Sequence, residues 1–217
     1  MTRELPAETV VVDEELRLLL RGLHRRQSGL IRTVTHASTF KDFLLKEEIM
    51  RGINEAGFEK PSDVQQNGIY YVMHGEDLLA QAKSGTGKTA VFAIGILQNI
   101  KVGPEPFQCL VLSHTRELAV QIANEFQRLG KYIQGLRITT IIGGMDEEGQ
   151  VLTLENNPPH IVIGTPGRVL KLTKEGKIKL DNLKYFVVDE CDQVLQQIGL
   201  LTRHAKRCPG DLPENQA

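Results

Sequence analysis

The chain has 217 residues, 41% of them hydrophobic and 24% charged, with a formal net charge of −1. These proportions fit a globular protein able to bury a sizeable core, and they exclude a global field that would draw it to nucleic acid or acidic lipid. Three cysteines (Cys109, Cys191, Cys208) without CxxC spacing argue against a disulfide scaffold or zinc site, and no apolar run reaches the ~20 residues of a membrane helix.

Residues 1–39 show little sustained periodicity and read as an extension. Arg17, Arg21, Arg25, Arg26 and Arg32 occur there, with no acidic residue from Leu16 to Phe40. Glu4, Glu8, Asp13, Glu14 and Glu15 at the start favour a basic extension over an organelle-import segment. From Phe40 the pattern changes. Phe43, Leu44, Ile49 and Ile53 predict a helix over 41–56, stopped at Gly57, and a second helix runs to Val72 with Ser62 as N-cap.

Residues 77–81 predict a short strand, and residues 90–97 predict a buried helix. Between them lies Ala82-Lys83-Ser84-Gly85-Thr86-Gly87-Lys88-Thr89. A phosphate-binding loop needs inward backbone N–H groups, which Gly85 and Gly87 permit, a helix start aimed at the anion, a Lys for the β/γ-phosphates and a hydroxyl for Mg²⁺. Lys88 and Thr89 suit the last two roles. Ala82 stands where the general pattern has Gly.

Beyond the loop, strands are predicted at 108–112, 137–142, 160–163 and 185–188, alternating with helices at 116–132, 147–154 and 166–172. That alternation predicts an α/β fold with a mainly parallel sheet flanked by helices. Residues 198–217, with Pro209 and Pro213, do not read as a strand plus helix. The strand at 185–188 ends in Asp189-Glu190, where Asp189 can hold Mg²⁺ and Glu190 can orient the attacking water.

These motifs together resemble the DEAD-box RNA helicases, from about Phe40 to about Leu195. Residues 57–65 resemble the Q motif, and Ala-x-x-Gly-x-Gly-Lys-Thr is the family's own phosphate loop, which accounts for Ala82. His114-Thr115-Arg116-Glu117-Leu118-Ala119 resembles motif Ia, where the family more often begins with Pro. Gly143-Gly144, Thr165-Pro166-Gly167-Arg168 and Asp189-Glu190-Cys191-Asp192 match the glycine doublet, motif Ib and motif II. Cys191, Ser62 and His114 most resemble the DECD subgroup acting in mRNA splicing and export.

The resemblance implies a RecA-like P-loop NTPase domain using ATP and Mg²⁺, with Glu190, Lys88 and Asp189 catalytic and Thr89 and Asp189 at the metal. It implies nucleotide contacts from Phe58, Gln65, Ala82, Ser84, Gly85, Thr86, Gly87, Lys88 and Thr89. Gln65 would read the adenine edge, while Phe40 and Phe58 pack on the base or belong to the core. Thr115, Arg116, Gly143, Gly144, Thr165, Gly167 and Arg168 would contact RNA backbone with little sequence selectivity. Partners would be RNA and mRNA splicing or export proteins, with no membrane role, in the nucleus, the cytoplasm being the other location left open.

After Asp192 there is no Ser-Ala-Thr motif and no apolar run to carry its strand, which in this fold lies between the phosphate-loop and Asp-Glu strands. The family's second RecA-like domain is not found either. The expectation is therefore an incomplete N-terminal ATP-binding domain over 40–198, an extension over 1–39 and a non-matching tail over 199–217. Three readings follow: a helicase portion, a non-catalytic fragment binding RNA or partners, and a P-loop ATPase outside the helicases, which Gln65 and motifs Ia and Ib disfavour.

Overall fold

Alternating side chains along four short apolar strands divide the protein into two packed faces. The computed structural model describes residues 37–83 and 85–205. β1 (Cys109–Leu112), β2 (Ile138–Ile141), β3 (Ile161–Gly164) and β4 (Tyr185–Val188) pair in parallel, in the order β2-β3-β1-β4. Cys109 and Val111 on β1, with Ile161 and Ile163 on β3, face one core; Leu110, Leu112 and Val162 face the other. This is the α/β architecture expected, with helices on both sides.

The first face is covered by α1 (Glu47–Glu55), α2 (Asp63–Met73), α3 (Lys88–Asn99) and α4 (Arg116–Leu129). Ile49 and Ile53 on α1, Ile94 and Leu97 on α3, and Phe126 on α4 are fully buried there. The second face is covered by α5 (Glu147–Asn156), α6 (Pro166–Lys174) and α7 (Cys191–Ala205), through Leu154, Val169, Leu172 and Val194. Burial of a large apolar side chain contributes roughly 1.5–3 kcal/mol, so these helices are held mainly by their inward faces.

Three expectations are corrected. The helix over 41–56 is split: Phe40–Phe43 forms a 3₁₀ turn that buries both Phe rings, and Leu44 follows in a left-handed conformation (φ 52°) at 85% exposure. Helical spacing counted Leu44 as a core residue, but its neighbours Phe40 and Phe43 anchor the segment instead. The strand over 77–81 does not form, and Leu79 is 90% exposed. A strand holds only when its backbone groups find a ladder partner, and none of the described residues pairs with this segment. Finally, α7 continues through position 198 to Ala205. The expectations for residues 1–36, Ser84 and 206–217, Cys208 included, lie outside the described residues.

Candidate functional site

The phosphate loop is held by α2. Ser62 and Gln65 form a capping box at the start of that helix, with the Ser62 N–H donating to Gln65 Oε1 at 2.9 Å. The other ends of both side chains reach the loop: Ser62 Oγ donates to Thr86 O at 2.8 Å, and Gln65 Nε2 donates to Gly87 O at 3.3 Å. Gly87 has φ 88°, and a Cβ there would lie 2.3 Å from Gln65 Nε2, so only glycine lets the loop approach this closely. Gln65 is thus buried and engaged at both ends of its amide.

Lys88 begins α3, and its Nζ donates to Ala82 O at 2.5 Å and Lys83 O at 3.0 Å. Thr86 Oγ1 also donates to Lys83 O, at 2.8 Å. The loop is therefore closed on its own carbonyl groups, which leave the Lys88 charge un-neutralised and suited to an anion. Thr89 follows on α3, half-buried. Gly85 is exposed with φ 79°. Phe58 packs edge-on against buried Phe40, with ring centroids 6.0 Å apart, and the Arg128 guanidinium lies 5.3 Å from its ring centroid. Phe40 is core; Phe58 keeps a partly exposed ring.

At the end of β4, the Asp189 N–H donates to Leu112 O at 3.0 Å, continuing the ladder. Burial, then the Glu190 charge, pushes the Asp189 carboxyl above its ordinary range; a backbone hydrogen bond and the charges of Lys88 and His114 oppose this. Lys88 and Asp189 are thus within electrostatic reach of one another. Glu190 turns the chain into α7 with φ 50°, a left-handed backbone that is uncommon for a non-glycine residue. Its Oε2 lies 3.1 Å from His114 Nδ1, an atom that is buried and makes no directed hydrogen bond. Gln197 of α7 donates to the His114 carbonyl at 2.7 Å and ties that helix to the end of β1.

The remaining motif residues gather at the carboxyl ends of β1, β2 and β3. Thr115 caps α4, its Oγ1 accepting from Leu118 N at 3.2 Å. Thr165, at the cap position of α6, accepts from Gly143 N at 3.4 Å, and Pro166 and Gly167 open that helix. Gly144 has φ 76°, and a Cβ there would meet the Arg116 guanidinium at 2.3 Å. Arg168 pairs with Glu147 at 3.0 Å. In a parallel sheet these strand ends form the natural ligand edge. All of the described site residues except Phe58 and Gln65 lie on the phosphate loop, the start of α3, or the turns and first helical residues that follow the strands.

Residues 62–215 match the DEAD/DEAH box helicase family. The chain belongs to that family. Human ATP-dependent RNA helicase DDX39A is 44% identical over 182 residues, covering 80% of this chain and 43% of the human protein. The Drosophila melanogaster ATP-dependent RNA helicase WM6 is 47% identical over 166 residues, covering 76% of this chain and 39% of that protein. A DEAD-box protein structure from Methanococcus jannaschii superposes with a TM-score of 0.71 at 35% identity, covering 79% of this chain and 46% of that one. A Saccharomyces cerevisiae Dbp5 variant bound to RNA and ADP BeF3 superposes with a TM-score of 0.67 at 31% identity, covering 81% and 44%. The chain thus spans about two fifths of the length of these curated relatives, and its fold is that of the N-terminal DEAD-box domain.

For a DEAD-box domain, several side chains beyond the motif residues shape the site. His114 contacts Glu190; the sequence marked His114 as a departure from Pro and a subgroup resemblance, without a contact to Glu190. Asp146 accepts from the N–H groups of Glu148 and Gly149, both at 3.1 Å, and fixes the start of α5 beside the glycine doublet. Gln150 Nε2 donates to Ile142 O at 3.0 Å and braces the same turn. An acidic residue just after a glycine doublet was the available signal for Asp146; Gln150 gave none. Cys109 is fully buried and its thiol is held far above its usual range, so it acts as a packing residue, while Cys191 is exposed. Among the described residues no His, Cys, Asp and Glu cluster of three or more could hold a metal. Thr89 and Asp189 alone would need phosphate oxygens and water to complete a Mg²⁺ shell, as nucleotide-bound Mg²⁺ does.

Proposed function

We propose that the chain supplies the ATP- and RNA-binding portion of an ATP-dependent RNA helicase of the DECD type, acting in nuclear mRNA splicing and export. Lys88 takes the β- and γ-phosphates, releasing the carbonyl groups of Ala82 and Lys83. Phe58, Gln65, Ala82, Ser84, Gly85, Thr86 and Gly87 cradle the rest of the nucleotide. Thr89 and Asp189 would hold Mg²⁺, which supplies charge neutralisation at the phosphates when bound. Glu190 orients and polarises the attacking water, with His114 fixing the direction of its carboxylate. Thr115, Arg116, Gly143, Gly144, Thr165, Gly167 and Arg168 take RNA phosphate and ribose, so binding depends on salt and little on sequence.

The observation that carries this reading is convergence: the motif turns after β1, β2, β3 and β4 lie at the carboxyl ends of one parallel sheet, Ser62 and Gln65 hold the phosphate loop, and the Lys88 charge of that loop acts on Asp189. The resemblance of Ser62, His114 and Cys191 to the DECD subgroup supports the splicing and export assignment, the likeness to the ATP-dependent RNA helicases DDX39A and WM6 supports the helicase assignment, and the RNA-bound Dbp5 structure supports RNA binding. The extension over 1–39 and the ATP-binding unit beginning at 40 remain part of the proposal. At the other end α7 and the family match both run past 198.

A second reading is favoured by segment 77–81 and the outer edge of β4, with which none of the described residues pairs. In that reading the 217 residues alone bind ATP and RNA without turnover. An arginine finger supplied from elsewhere contributes ~10³–10⁵ in rate in related phosphoryl-transfer enzymes. The test is titration of the purified chain with a fluorescent ATP analogue and with labelled poly-U, together with an ATPase assay. Binding is expected, lost for nucleotide on Lys88→Ala and weakened by salt for RNA, with no turnover. RNA-stimulated turnover abolished by Glu190→Gln would overturn the non-catalytic reading, and failure of both titrations would overturn the functional assignment.

A further inference from the structure

Of the two motif arginines Arg116 is exposed and Arg168 is enclosed, at 12% exposure, and Arg168 Nη1 has no directed hydrogen-bond acceptor. What lies against it is the Glu147 carboxylate, at 3.0 Å from Oε2. The other oxygen of the same carboxylate takes the Lys171 ammonium at 2.5 Å. Arg168 and Lys171 are three residues apart on α6 and so project on one side of it. Glu147 comes from the first turn of α5, whose start is pinned by Asp146. Two cations from one helix therefore converge on one anion from another, beside the Gly143–Thr165 contact. The two cations hold the Glu147 carboxyl below its ordinary range, through the Lys171 hydrogen bond first and then the two charges.

A carboxylate and a phosphodiester offer the same pair of anionic oxygens to a guanidinium and an ammonium. We propose that Glu147 is a built-in phosphate substitute: it occupies Arg168 and Lys171 when RNA is absent and must be displaced when RNA binds. Lys171 thereby becomes a further RNA contact, one helical turn beyond motif Ib. The buried Nη1 without a directed acceptor fits this, since Glu147 meets the charge of Arg168 without filling its hydrogen-bonding geometry. The device raises the threshold for binding, because RNA gains these two cations only by releasing a carboxylate that then faces its own phosphates. The inference rests on the proposed RNA role of the Thr165–Arg168 turn.

Binding of labelled poly-U to the full chain tests it, measured between low and physiological salt. Glu147→Gln is expected to tighten binding about three- to tenfold and to steepen the salt dependence by up to ~1.4 in slope, from about 0.7 for each cation released to single-stranded RNA. Glu147→Ala has the same sign, since charge and not shape is responsible. Glu155→Gln, which breaks the 2.6 Å pair between the far end of α5 and Lys177 in the turn beyond α6, is the control and changes binding less than twofold. Lys171→Ala has little effect in the natural chain and a clear loss in the Glu147→Gln background. Unchanged or weaker binding by Glu147→Gln in a chain that does bind RNA overturns the inference. Absence of RNA binding by the natural chain and by both Glu147 variants overturns the underlying RNA assignment instead.

Discussion

Along β1 and β3 every residue is buried, and the turns that leave them are braced by Thr115 and Thr165. Along β4 every residue is only partly buried, and the phosphate loop opposite belongs to no strand. The turns after β1 and β3, which carry part of the proposed RNA contacts, thus rest on the buried centre of the sheet, while the phosphate loop hangs from α2 and α3 through side-chain contacts. Motif residues specify chemistry equally on both sides. The stiffness behind that chemistry comes from neighbouring strands, and here it is unequal.

The contrast is broken most strongly by emptying the centre. Ile163→Ala, at a fully buried β3 position, is expected to cost about 2–5 kcal/mol in chemical denaturation, whereas Val187→Ala on partly buried β4 costs about 1 kcal/mol. Equal losses would mean that β4 is as well supported as β3. A sharper probe of the nucleotide side is Gly87→Ala. It forces a side chain into a left-handed backbone and against Gln65, for an expected ~1–3 kcal/mol of strain. Because that strain sits in a loop outside the sheet, it should appear chiefly as lost ATP-analogue affinity, with a smaller change in Tm than Ile163→Ala produces.

The smallest effect concerns His160, fully buried just before β3. Its Nδ1 accepts the Arg137 N–H at 3.0 Å, and its Nε2 faces Gly103 O at 3.2 Å, an arrangement that fits the neutral ring. Burial, helped by the Arg137 charge, holds its pKa below the ordinary 6.5. The unfolded chain therefore takes up the proton first as pH falls, so stability from this group is present above about pH 6.5 and declines below it, by at most about 1.4 kcal/mol per pH unit. A Tm-against-pH profile should show that decline, and His160→Asn should flatten it.

How much of this was legible depended on range. The strands, the capping residue Ser62 and the ordered motifs are local patterns, and β1 to β4 lie within a few residues of where alternation placed them. Leu44 was misread because helical spacing records only which residues are apolar, while its exposure follows from Phe40 and Phe43 taking the core. The segment 77–81 reads as a strand in isolation, yet pairing is decided by a neighbour far away in sequence. The Glu147–Arg168 and His114–Glu190 contacts join residues 21 and 76 positions apart, a separation at which charge patterning carries no register.

The outer flank of β4, with which none of the described residues pairs, bears on how the protein behaves at high concentration. The register with β1 turns the Tyr185, Val187 and Asp189 amides inward, leaving those of Phe186 and Val188 pointing away from the sheet. Two apolar residues, Phe186 and Val188, whose amides no described residue accepts, invite edge-to-edge stacking between molecules. Lys184 and Asp189, set at the two ends of that run, are the charges that discourage it.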